Sequence, residues 1–207
     1  MTLNNIGDLN SMHVDVLTEL GNIGTGNAVT SLATLVGKEI SINVPRVRIL
    51  DFNESVQFIG GAENIVTGVL IRLIEGIEGM ILYIFEDKFV ATVLKTFFGK
   101  EFKSALEINE MDKSALNEIG NIMAGAYARA LSSMTGLKIT LSTPSICVDM
   151  AGAILSVPAI EFASIGDKVL FIEDSFGIGN DMVNSNMILV PELDSLNLLF
   201  KKLGVGI

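Results

Sequence analysis

The sequence predicts an α/β protein built from one duplicated helix–strand–hairpin–helix unit. Its two pseudo-twofold halves share one continuous sheet, with helices packed over it. Three observations predict this. Residues 9–45 align without a gap on residues 108–144, ninety-nine positions further on, sharing Asn10, Met12, Leu17, Glu19, Gly21, Asn22, Ile23, Gly26, Leu32, Gly37, Ile40 and Pro45 with their counterparts. Unrelated segments of that length would share roughly two or three residues, so the chain carries an internal duplication. Each copy opens with helical apolar periodicity, and each half closes with two strand-like runs and a second amphipathic stretch. A half alone would leave a strand edge and an apolar helix face exposed, so joining the halves is the economical solution. The expected organisation is a single domain over 1–207, made of repeats at about 9–99 and 108–204 with a charged link near 100–107.

The elements follow in order. Residues 1–9 form a short polar lead. Asn10 or Ser11 can cap a helix that runs to Val36 and stops at Gly37. Val14, Leu17, Leu20, Leu32 and Leu35 gather on its core side. Ile40–Val44 reads as a strand ended by Pro45, and Val47–Asp51 as its extension. Asn64–Ile74 and Met80–Phe85 form a hairpin around Glu75–Gly79. Glu86 and Asp87 open a helix closed by Gly99. In the second half Asn109 caps a long helix, with Asp112 at the capping-box position, and the helix ends near Gly136. Ile139–Ser142 is the strand before Pro144, and Asp149–Leu155 and Ala159–Ala163 are extended candidates. Lys168–Glu173 and Met187–Val190 make the second hairpin, with Asp174–Ser185 as a long loop, and Pro191 and Glu192 open the last helix, Leu193–Leu203.

Composition narrows the function. A hydrophobic share of 49% suffices for a sizeable core, while a net charge of −10 argues against nucleic acid and anionic membrane as partners. No basic start with a long apolar run marks a signal peptide, and no apolar stretch is long enough to span a membrane, so the expected compartment is the cytoplasm. The single cysteine, Cys147, cannot form an internal disulfide and reads as a buried small hydrophobe. The single histidine, His13, has no repeat counterpart and reads as a solvated helix residue rather than a base. No cysteine–histidine pair or metal-ligand cluster is present, and Gly177-Ile178-Gly179 lacks the strand–loop–helix context of a nucleotide fingerprint.

What the duplication preserved is polar. At about 100° per residue, Asp15, Glu19, Asn22 and Gly26 share a stripe roughly 60° wide, and Ser114, Glu118, Asn121 and Gly125 repeat it. Asp15 becomes Ser114, which speaks against a hard-cation site. Gly21, Gly24 and Gly26 each cost up to about 1 kcal/mol inside a helix. They serve close helix packing or the approach of a partner; Gly21 is assigned to packing and Gly26 to approach. A carboxamide is a poor acid and base, but it both accepts and donates hydrogen bonds, as a side chain holding an attacking water must. A glutamate with no basic neighbour on its ridge is free to pair with a cation on another molecule. Surface residues without a role, or an asparagine bonded to backbone at a helix contact, would look the same.

The pattern Asp or Ser, then Glu, Asn and Pro, occurs in full twice, as Asp15/Glu19/Asn22/Pro45 and Ser114/Glu118/Asn121/Pro144. It resembles the CheC family of chemotaxis phosphatases, within the CheC/CheX/FliY group, over essentially the whole chain. The resemblance implies a phosphatase that hydrolyses the aspartyl phosphate of a CheY-type response regulator. Asn22 and Asn121 would orient the water, and Glu19 and Glu118 would dock on the regulator's lysine. Pro45 and Pro144 would be structural. The chain would need no cofactor of its own, the Mg2+ belonging to the regulator. It would act as a cytoplasmic monomer and bind a CheD-type deamidase. A non-catalytic module that sequesters CheY-type or CheD-type partners is the other reading.

Overall fold

The computed structural model describes residues 3–163 and 166–205. Its frame is set by two 26-residue helices, α1 (Ser11–Val36) and α4 (Glu110–Thr135). Both start on a reciprocal cap. The Asn10 side chain accepts the His13 N–H at 3.1 Å while His13 Nδ1 accepts the Asn10 N–H at 3.1 Å. In α4, Asn109 Oδ1 and Asp112 Oδ2 do the same at 3.0 Å each. Both helices end on a left-handed glycine, Gly37 or Gly136. His13 is therefore not a solvated residue: it is 3% exposed, closes the cap and packs at a tilt against the Phe200 ring, 4.4 Å between centroids.

Eight strands form one antiparallel sheet: β1 (Ile40–Ile42), β2 (Arg46–Asp51), β3 (Ile65–Glu75), β4 (Ile77–Phe85), β5 (Thr140–Leu141), β6 (Ser145–Met150), β7 (Lys168–Ile178) and β8 (Asp181–Pro191). The order is β1-β7-β8-β4-β3-β5, with β2 also beside β7 and β6 beside β3. The halves thus exchange strands. β1 and β2 complete the second hairpin, β5 and β6 complete the first, and β4 pairs with β8 at the centre, Leu82 opposite Ile188. The expected shared sheet with helices packed over it is the fold observed.

Alternate strand residues meet different helices. A Cβ on Gly120 of α4 would stand 2.7 Å from Val69, whereas one on the neighbouring Gly68 would stand 3.0 Å from Ile154 of α5 (Ala151–Glu161). Helices α3 (Asp87–Phe98) and α6 (Leu193–Lys202) lie on the α1/α4 side, where Phe89 stacks on Phe85 and Phe200 packs at a tilt against His13. The short α2 (Phe52–Phe58) lies on the other side, Phe58 against Phe171.

Several expectations are corrected. The strands on either side of Pro45 are distinct, as β1 and β2, the first shorter than expected, and α2 follows unforeseen; its signal was the capping box in which Asp51 and Glu54 hold each other's N–H at 2.7 and 2.9 Å. Residues 151–161 are helical rather than extended, because a continuous apolar run fits a packed helix as well as a strand. Pro158 is accommodated within that helix. The loop expected at 174–185 is instead strand on both sides of a tight turn at Gly179. Within it Ser175 donates to Asn184 Oδ1 at 2.8 Å, while the buried Ser185 hydroxyl has no partner among the described residues; just beyond it Asn186 donates to Glu86 at 3.2 Å. The lead is not merely polar, since Leu3 and Ile6 are buried. Cys147 is exposed on β6, which has a partner strand on one side only, and Leu35 is 55% exposed.

Helices α1 and α4 cross antiparallel over the sheet. Leu35 near the end of α1 borders a groove with Ser114 near the start of α4, and mid-helix Gly24 meets Tyr127. A Cβ on Gly24 would overlap the Tyr127 ring, so this glycine permits the helix contact. Gly26 has nothing within 4 Å. Gly24→Ala should therefore destabilise the protein by about 1–3 kcal/mol through overpacking. Gly26→Ala should stabilise it by about 0.5–1 kcal/mol through helix propensity. Denaturant unfolding of the two variants checks the opposite signs.

At this crossing a polar group is buried. Thr25 Oγ1 donates to Asp174 Oδ1 at 2.8 Å beneath the two helices, and the Asp174 side chain lies among Tyr83 and Tyr127. Burial pushes the Asp174 carboxyl from 3.8 up to about 7, against the opposing pull of the Thr25 hydrogen bond. Burial first, and the nearby Asp174 second, raise the Tyr83 and Tyr127 hydroxyls as well. Because the folded carboxyl holds its proton to higher pH than the unfolded one, its contribution to stability is full below about pH 4 and is lost as pH rises to about 7. Asp174→Asn keeps the acceptor for Thr25 and removes that titration. It should be more stable than wild type at pH 8, by on the order of a few kcal/mol, and nearly equal to it at pH 4. Unfolding free energies across that range measure it.

Candidate active site

The buried sides of α1 and α4 decide what the outer sides present. Leu17, Leu20 and Leu32 are buried on α1, and Leu116, Ile119 and Leu131 on α4. Asp15 and Glu19 are left exposed and Asn22 half-exposed; Ser114, Glu118 and Asn121 are all exposed. Each helix thus brings its acid, amide and flanking residue onto one ridge. The antiparallel crossing sets the two ridges toward opposite ends of the helix pair.

The two ridges differ in detail. Asn22 Nδ2 reaches Glu19 Oε2 at 3.5 Å, a contact at the outer limit of hydrogen bonding. Among the described residues Glu118 and Asn121 make no side-chain hydrogen bond and neither glutamate has a cation in ion-pair range. Both amides keep donor and acceptor capacity for an incoming molecule. The prolines lie under their helices. A Cβ on Gly21 would touch buried Pro45 at 3.6 Å, and Asn117 Nδ2 donates to the Pro144 carbonyl at 3.4 Å.

Two grooves flank the second ridge. One of about 670 Å3 runs between α3 and α4, walled by Phe97, Phe98, Met111 and Ala115 and bounded by Ser114 and Glu118. The other, about 470 Å3, lies between α1 and α4 and is lined by Asn121, Gly125, Arg129, Ser31 and Thr34. Arg129 continues the spacing of Asn121 and Gly125 along the ridge. Comparison of the repeats passes over it because its counterpart is Thr30. Only the helical spacing itself could have singled it out. Among the described residues no three of His, Cys, Asp and Glu converge as a metal-binding group, and no helix is long and apolar enough to cross a membrane.

An acid–amide pair displayed on each of two packed helices, over a strand-exchanged sheet, defines a duplicated protein that presents one polar motif twice. The chain belongs to the CheC-like family, whose sequence signature matches residues 12–49 and 111–148, the two copies found by internal comparison. It is 31% identical over 198 residues to the CheY-P phosphatase CheC of Bacillus subtilis, covering 94% of this chain and 95% of that one. It is 27% identical over 142 residues to the flagellar motor switch phosphatase FliY of Bacillus subtilis, covering 68% of this chain and 37% of that one. The crystal structure of Thermotoga maritima FliY shares the fold, with a TM-score of 0.76 at 24% identity over 95% of this chain and 98% of that one. The chain is thus a chemotaxis-type homologue of CheY-P phosphatases.

Proposed function

We propose that this chain hydrolyses the aspartyl phosphate of a CheY-type response regulator, using both ridges. The observation that carries the reading is an exposed glutamate, with no cation in ion-pair range among the described residues, one turn from an asparagine that is half-exposed on the first long helix and exposed on the second, in a chain 31% identical to a CheY-P phosphatase. A convex site suits a reaction whose bond lies in the partner's pocket. The asparagine enters that pocket, its carbonyl accepting from a water and its amide donating to an oxygen there, so that the water stands in line with phosphorus. The water oxygen bonds to phosphorus, the bond to the aspartyl oxygen breaks, and phosphate leaves. Glu19 or Glu118 pairs with the lysine beside the phosphoryl group and fixes the approach. The regulator's own Mg2+ offsets phosphoryl charge, and this chain supplies docking and water orientation. In this reading the protein works as a cytoplasmic monomer, with a CheD-type deamidase as its other partner.

Two separate sites make the observed rate a sum. Asn22→Ala or Asn121→Ala alone removes only one share, so each single variant should keep measurable activity. A mutated site should slow by about a hundredfold if water positioning is worth ~3 kcal/mol. The double variant should approach the regulator's own decay rate while still binding it. Decay and binding measured for all four proteins decide the matter: near-wild-type decay in the double variant would refute the catalytic assignment and leave a binding module.

The glutamates are tested by charge. Glu19→Lys with Glu118→Lys sets like charge against the regulator's lysine, and breaking such desolvated pairs costs roughly 2–5 kcal/mol each. The double reversal should abolish measurable binding of the phosphorylated regulator, and unchanged affinity by titration would remove the docking role.

A further inference from the structure

Arg129 stands on the second ridge, one helical turn past Gly125 and two past Asn121. Its guanidinium lies over Gly125, where a Cβ would stand 3.4 Å from Nη1. Its Nη2 donates across the helix seam to Ser31 Oγ at 3.2 Å. Arg129, Gly125 and Ser31 line the same groove as Asn121. The cation is thus held in place by a hydroxyl of the other helix and by the missing side chain at 125. Among the described residues no carboxylate lies in ion-pair range of it, although the chain carries a net charge of −10. Most of its N–H donors remain for another molecule.

The first ridge lacks this device. Thr30 stands in the matching place and turns its hydroxyl back onto the Gly26 carbonyl at 3.0 Å, and the space over Gly26 is open. Read along the helix, the first ridge offers acid, amide and a neutral group, and the second offers acid, amide and a cation. A partner docked on the second ridge is therefore matched by a cation near Glu118 and an anion beyond Asn121.

We infer that Arg129 is a specificity-determining residue of the second site, binding an oxyanion that the docked partner presents beside Asn121. This rests on the phosphatase reading above. A guanidinium fork suits a carboxylate on the regulator's surface and a phosphoryl oxygen alike.

The test uses the full chain carrying Asn22→Ala, so that turnover reports the second site, and a CheY-type regulator as the probe. Adding Arg129→Glu should raise KM about tenfold or more, with kcat within about twofold, and should flatten the salt dependence of KM. Arg129→Lys, which keeps the charge but loses the fork, should retain part of the affinity and fall between wild type and Arg129→Glu. Loss of binding to phosphorylated and unphosphorylated regulator alike identifies a carboxylate; loss confined to the phosphorylated form identifies the phosphoryl group. Conversely, Thr30→Arg in an Asn121→Ala chain should lower the KM of the first site. An unchanged KM and salt dependence in Arg129→Glu, while the Asn22→Ala parent turns over, overturns the inference and leaves the phosphatase reading standing. If wild type itself does not accelerate decay, the phosphatase reading fails, and equal regulator binding by wild type and Arg129→Glu then overturns the inference separately.

Discussion

The pairing of β4 with β8 is the constraint on which the rest of the molecule depends. From Ile77 to Phe85 nearly every β4 residue is buried, and β8 is buried from Ser185 to Pro191. Such a strand pair has no solvated face and needs helices on both sides. Because β4 and β8 belong to different halves, the same ladder that satisfies their backbones also relates the halves. The long helices then have one place to lie, across the top of that central pair, with Thr25 and Tyr127 meeting β4 and β7 through Tyr83 and Asp174. The positions of both ridges follow from this seating.

The pseudo-symmetry is broken where side-chain volume is traded between equivalent places. Gly24 and Tyr127 meet at the crossing, where their repeat counterparts are Met123 and Ala28. At one place His13 of the first half packs on Phe200 of the second and fills the space between α1 and α6. The matching residues are Asp112 and Leu94, the latter, like Phe200, eight places past its helix's N-cap glutamate. Both are smaller, and a groove of about 670 Å3 opens there. Lys100 from the link between the halves pairs with Asp112 at its edge. A duplicated backbone has thus acquired two sites of the same motif in different surroundings.

Much of this was legible in the residues. The caps at Asn10 and Asn109, the terminating glycines and the 99-residue repeat located the long helices and the Glu/Asn ridges, because capping and helical periodicity are local rules. The interior defeated local rules. Polar Asp174 and Ser185 looked like loop because their burial depends on Thr25 and the sheet, far away in sequence. The apolar run at 151–155 carried no period that separates strand from helix. His13 looked solvated because its partner ring is Phe200, nearly two hundred residues on. Arg129 was hidden by the very comparison that revealed its neighbours.

The exchange of strands also has a consequence in time. A ribosome releases β1 and β2 long before their partner β7, which lies beyond all of the first repeat and most of the second. Until then the nascent chain carries an unmatched pair of strands, and the first hairpin waits for β5 and β6. Closing such distant pairs costs loop entropy before any contact offsets it, which slows folding and lengthens the exposure of sticky edges. The first ridge is synthesised early, yet the floor beneath it is finished only when the C-terminal hairpin arrives. Both ridges therefore gain their finished support together, late, and as one event.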